Sequence, residues 1–121
     1  MTGKAVLLAA GLGTRLRPLT DFLPKCLAPI RGRPLLEYWL RLLFDSQVSR
    51  VLVNTHHHAE LVAAYVAASP WSSQIRLSHE PTLLGTGGTL LANAPFLHGG
   101  ALLVAHADNL TSFDLQAFLA T

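Results

Sequence analysis

Cysteine is almost missing from this chain of 121 residues, which has one, Cys26. A lone thiol excludes an internal disulfide framework and fits a reducing compartment. Charge is also scarce. Only 13% of the residues are charged, against roughly 25% in an ordinary soluble domain. The formal net charge is +2, and the cations are scattered apart from one loop. That speaks against a nucleic-acid groove or an anionic membrane patch. No long apolar run exists, because Glu37 and Arg41 interrupt the longest candidate; a membrane span would need about 18 or more. The run AVLLAA after Lys4 breaks into Gly-Leu-Gly-Thr-Arg without a cleavage site, so a signal peptide is not expected.

What is abundant is apolar surface: half of the residues are hydrophobic. A chain of this length buries only about two-thirds of its unfolded surface. Its strands must therefore be covered on both faces, or some apolar surface needs a partner. The pattern predicts strands over residues 4–10, 50–54, 74–78 and 101–106. Helices are predicted from Pro34 through LLEYWLRLLFDS, over 59–68, and over 89–94 after a turn LLGTGG. Ser112 or Asp114 is placed to cap a last helix. Strands alternating with helices imply a parallel sheet with helices on both faces. In such a sheet ligands bind beyond the carboxyl ends of strands, where strand order reverses, commonly between the first and fourth. The first strand ends at a glycine loop and the fourth at Ala107-Asp108-Asn109, so Asp108 is expected to face that loop.

The loop is GLGTRLRPLTDFLPK, from Gly11 to Lys25. Gly11 and Gly13 allow close backbone approach to a ligand, and successive N–H groups can cup an anion. Arg15, Arg17 and Lys25 add full positive charges suited to a polyphosphate. It is not a P-loop, which ends in Gly-Lys-Ser/Thr. Nor is it a dinucleotide fingerprint, because Leu16 stands where the third glycine belongs.

LAAGLGTRLRPLT…PKCLAPIRGRPLLEYWL resembles the N-terminal signature of the sugar-1-phosphate nucleotidyltransferases. EPTLLGTGGTL is similar to that family's base-recognition turn, and HADNL to its metal-binding strand end. The resemblance implies a Rossmann-like three-layer α/β/α fold with a mostly parallel sheet, truncated in this chain. Residues 1–121 would be the N-terminal nucleotide-binding part of the domain. It implies that backbone groups of Leu8, Ala9, Ala10 and Gly11 border the base and ribose. Gly11, Gly13 and Thr14 would wrap the phosphates. Arg15 would stabilise departing pyrophosphate, and Lys25 would hold the reacting phosphates. Glu80, Gly85 and Thr86 would contact the base, and Asp108 would bind Mg²⁺. The substrates would be a nucleoside triphosphate and a sugar 1-phosphate. A cytoplasmic location and a homo-oligomer, or a partner chain over an uncovered sheet edge, are also expected.

Alternatives stand beside these roles. Asp108 could cap a turn, and Glu80 could form a salt bridge. A nucleotide-sugar sensor without turnover, or an assembly scaffold, could use the same fold. Adjacent histidines cannot all converge on one ion from extended backbone, so His56, His57 and His58 read as a loop feature. Cys26 reads as packed rather than reactive. Two departures from the family are visible: Ala107 where glycine is usual before the metal aspartate, and Gly87 where alanine is common.

Overall fold

The computed structural model describes residues 3–10, 23–97 and 102–106. Its frame is a sheet of four parallel strands: β1 (Gly3–Leu8), β4 (Val48–Thr55), β5 (Ile75–His79) and β6 (Leu102–His106). The order across the sheet is β5-β4-β1-β6. Thus the third, second and first long strands lie side by side, and the fourth returns to the other flank of the first.

Alternating side chains of β1 and β4 feed two cores. Ala5, Leu7, Val51 and Val53 point to one face. There they meet α1 (Leu35–Asp45) through Leu36, Leu40 and Leu43, and α2 (Ala59–Ala68) through Val62 and Val66. Val6, Leu8 and Leu52 point to the other face. There they pack against Leu90 of α3 (Gly85–Ala92) and Phe96 of α4 (Ala94–Leu97). Both central strands are therefore covered on both sides, which is why they read as continuous apolar runs rather than alternating ones. The expected three-layer arrangement is present.

At the amino ends of the strands, Lys4 and Arg50 are register partners. Both cations lie over the ring of Phe96, at 5.3 and 5.7 Å from its centroid. The Lys4 ammonium also donates to the Phe96 carbonyl at 2.7 Å. The aromatic face relieves an otherwise repulsive pair of neighbours.

Three local differences from the sequence reading have physical causes. The first strand ends at Leu8, two residues early, because the next two N–H groups bond a side chain instead of the ladder. A small hairpin, β2 (Pro29–Ile30) with β3 (Arg33–Pro34), precedes α1. Its central residues Arg31 and Gly32 have φ of 52° and 81°, the pair of positive values that a tight two-residue hairpin turn of this hand requires. Finally, Gly85-Thr86-Gly87-Gly88 is not a turn before a helix over 89–94. It forms the first half of α3, with a separate short helix α4 following.

Candidate functional site

β1 and β6 are adjacent, and Leu8 and His106 are register partners at their carboxyl ends. Strand order reverses at that pair, so the switch point lies where the sequence placed it. Gly11 follows Leu8 by three positions, and Asp108 follows His106 by two. Gly11, Gly13, Thr14, Arg15 and Asp108 themselves lie outside the described residues.

The backbone that leaves β1 is held by a buried polar network. Ala9 and Ala10 are buried. Both of their N–H groups donate to Asn54 Oδ1, at 2.6 and 3.1 Å. Asn54 sits near the carboxyl end of β4 and faces α3. Its Nδ2 donates to Glu80 Oε2 at 3.3 Å and to Thr89 Oγ1 at 3.4 Å. The Thr89 hydroxyl donates to the same Glu80 oxygen. Glu80 Oε1 accepts from the Leu84 N–H at 3.2 Å. Glu80 is 2% exposed and Thr89 is fully covered. Three uncharged donors thus hold the Glu80 carboxylate, which stands just before the amino end of α3, where the helix dipole favours negative charge.

The main chain of Glu80 is fixed as firmly. Its N–H donates to the Thr55 carbonyl at 2.7 Å. His56 Nδ1 donates to its carbonyl at 2.6 Å. A carbonyl can only accept, so that ring nitrogen carries the proton. His58 occupies the N-cap position of α2 with φ 52° and lies 3.7 Å from the Glu60 carboxylate. Its ring centroid is 4.1 Å from that of His57. Among the described residues no group of three or more His, Cys, Asp or Glu side chains could hold a metal ion. The three histidines are loop and helix-cap residues in this geometry.

Gly85 opens α3 with φ 74° and is exposed. A Cβ there would meet nothing within 4 Å, so the demand for glycine is conformational rather than steric. Thr86 follows in the first turn of α3. Lys25 starts a short 3-10 turn, Lys25–Leu27. The turn is closed by the Leu27 N–H donating to the Pro24 carbonyl and the Ala28 N–H donating to the Lys25 carbonyl, each at 3.0 Å. The next residue, Cys26, is 1% exposed and packs in the core beneath α1. Burial, partly offset by a backbone hydrogen bond, pushes its thiol from 9.0 up to about 12. It is packed, as expected, and Lys25 stands beside a firm anchor.

Asn54 and Thr89 were not among the residues singled out from the sequence. The available signals were weak: one amide after the apolar run Val51–Val53, and one hydroxyl in an apolar helix.

The family model for nucleotidyl transferases matches residues 4–121. The chain belongs to the nucleotidyl transferase family. It is 37% identical over 110 residues to N-acetylmuramate alpha-1-phosphate uridylyltransferase of Caulobacter vibrioides, covering 88% of this chain and 46% of that protein. It is 30% identical over 113 residues to D-glycero-alpha-D-manno-heptose 1-phosphate guanylyltransferase of Campylobacter jejuni, covering 93% and 51%. Among solved structures it superposes on HddC from Yersinia pseudotuberculosis complexed with GMP-PN. The TM-score is 0.81 and the identity 27%, over 98% of this chain and 53% of that one. The chain spans about half the length of these members of the family. No helix among the described residues is long and apolar enough to cross a membrane.

Proposed function

We propose that this chain carries the nucleotide-binding half of a sugar-phosphate nucleotidyltransferase. The reaction condenses a nucleoside triphosphate with a sugar 1-phosphate and releases pyrophosphate. The supporting observation is the pairing of Leu8 with Arg- and Gly-rich sequence beyond it, against His106 with Asp108 beyond it, at one reversal of strand order. The backbone of Leu8, Ala9, Ala10 and Gly11 borders the base and ribose. Gly11, Gly13 and Thr14 wrap the phosphates, and Gly85 and Thr86 meet the base at the start of α3.

In the reaction a phosphate oxygen of the sugar 1-phosphate attacks the α-phosphorus in line. The bond from that phosphorus to the bridging oxygen of the β-phosphate breaks, and pyrophosphate carries the electron pair away. Both reactants are polyanions, so catalysis consists of holding them together against repulsion and stabilising the charge on the leaving group. Arg15 serves the departing pyrophosphate and Lys25 the reacting phosphates. No protein nucleophile is needed. Asp108 is the residue assigned to Mg²⁺, a cation that takes one or two carboxylates plus phosphate oxygens and neutralises their charge. A cytoplasmic enzyme that is a homo-oligomer completes the reading.

Isothermal titration with the four nucleoside triphosphates, with and without Mg²⁺, tests it. Mg²⁺-dependent binding of a triphosphate is expected. Tighter binding of finished nucleotide-sugars than of any triphosphate would point to a sensor instead, and binding of neither would sink the proposal.

A further inference from the structure

We infer that Asn54 is a positioning residue for the nucleotide loop, acting through the backbone of Ala9 and Ala10, with Glu80 and Thr89 orienting its amide. The inference rests on the nucleotide-binding reading above. Its physical basis is a complete accounting of donors and acceptors. Asn54 Oδ1 has two lone pairs, and two consecutive N–H groups use them. Asn54 Nδ2 has two hydrogens, and Glu80 Oε2 and Thr89 Oγ1 take them. Thr89 passes its own hydrogen to Glu80, and Leu84 occupies the other Glu80 oxygen. No buried side-chain nitrogen or oxygen among the described residues lacks a partner.

Such a network has a direction. Only a side chain with an acceptor toward β1 and a donor toward Glu80 satisfies both ends. Aspartate would keep the acceptor and set two carboxylates against each other in a buried place. A hydrocarbon would orphan two N–H groups at once. Satisfied networks of this kind specify one arrangement, and half-satisfied ones are costly. Two N–H groups pinned to one atom fix both peptide planes of the Ala9–Ala10 segment. The network also ties that segment to the 80–84 turn and to α3. The Ala9–Ala10 segment and the start of α3 are therefore placed relative to one another by a single amide, and the Glu80 carboxylate serves the amide.

The polarity predicts a swap. In Asn54→Asp two acceptors face each other, and in Glu80→Gln two donors do, whichever way the new amide turns. In the double variant Asn54→Asp/Glu80→Gln donor and acceptor match again, with their places exchanged. The test uses the intact protein labelled with ¹⁵N-alanine. For wild type, both single variants and the swap, three quantities are measured: the Ala9 and Ala10 amide resonances, the melting temperature, and the affinity for the triphosphate that wild type binds best. Each single variant is expected to shift both amide resonances and weaken the triphosphate by about tenfold or more. The swap is expected to return the resonances, and to return the affinity to within about threefold. A swap that melts like wild type but binds no better than the single variants overturns the positioning role. So does a single variant that shifts the two resonances yet keeps wild-type affinity. If wild type binds none of the four triphosphates, the nucleotidyltransferase reading fails. Restored resonances in the swap then still support the tether, and unrestored ones refute it.

Discussion

A Cβ built on Gly88 would lie 2.8 Å from the Cβ of Leu84, one turn earlier in the chain. That atom is attached directly to the backbone and cannot swing aside. The Leu84 N–H is moreover held by Glu80. At Gly87, by contrast, a Cβ would meet nothing within 4 Å. The neighbouring glycines of Gly-Thr-Gly-Gly thus have different reasons to exist, and only Gly88 is enforced by contact. The common family alternative, alanine at the place of Gly87, falls at the one of the two that has room. Gly87→Ala is expected to be neutral or to stabilise by about 0.5–1 kcal/mol, because glycine is a poor residue inside a helix. Gly88→Ala is expected to destabilise by about 1–3 kcal/mol, the usual cost of overpacking. Urea unfolding of both variants separates the two predictions.

Under the proposed function the chemistry falls to the charges of Arg15 and Lys25. Arg15→Ala and Lys25→Ala are each expected to lower turnover of the intact enzyme by about 10²–10³-fold, the typical loss for one charge-stabilising donor. Circular dichroism should remain that of the wild type. Pyrophosphate release measures the turnover, and near-normal rates in either variant would remove that residue from its role.

Alkaline pH should destabilise the folded chain through two weak acids, the buried Cys26 and the half-buried Tyr65. Burial raises the Cys26 thiol from 9.0 to about 12. Burial first, and then the negative charge of Glu37, raises the Tyr65 phenol from 10.0 to about 12. Tyr65 also donates to Glu37 Oε1 at 3.4 Å, a bond the phenolate cannot make. In the unfolded chain these groups lose their protons at their ordinary values, so rising pH favours unfolding. Their contribution is fully present below pH 9 and is lost between about pH 9 and 12. Urea midpoints measured from pH 8 to 11 should fall, and Tyr65→Phe should flatten the part of the fall above pH 10. A midpoint that rises over this range would contradict the assignment. The Cys26 thiol should react with a maleimide only after unfolding.

Gln47 follows α1 with φ 67° and is exposed. This left-handed place at a helix end is one that glycine fills most easily. A side chain there costs about 1–2 kcal/mol, part of which glycine returns through its freer unfolded state. Gln47→Gly is therefore expected to stabilise by about 0.5–1 kcal/mol. The backbone bond from its N–H to the Phe44 carbonyl, 3.1 Å, is kept. A lower melting temperature for this variant would show that the Gln47 side chain contributes more than its backbone costs.

How far the sequence carries varies along the chain. β4 and α2 were legible, α2 to the residue, because a strand covered on both faces is a run of branched apolar residues and the two buried residues of α2, Val62 and Val66, stand one helical turn apart. α3 was misplaced. Glycine lowers helix propensity, so Gly-Thr-Gly-Gly reads as a turn. In the folded chain Glu80 engages Leu84, and Thr89 is buried against Glu80. Those contacts outweigh the local preference. The hairpin around Arg31-Gly32 was missed because its strands are two residues each, too short to show a period.

The one-dimensional pattern determined the fold class and the two-sided sheet and, with the general rule for parallel sheets, the place of the strand-order reversal. Periodicity and composition act over a few residues, and these features need no more. The roles of Asn54, Glu80 and Thr89 were decided only in three dimensions. Asn54 meets N–H groups 44 and 45 positions away and a carboxylate 26 positions away. A buried polar group has meaning only through its partners, and no local pattern names partners at that distance.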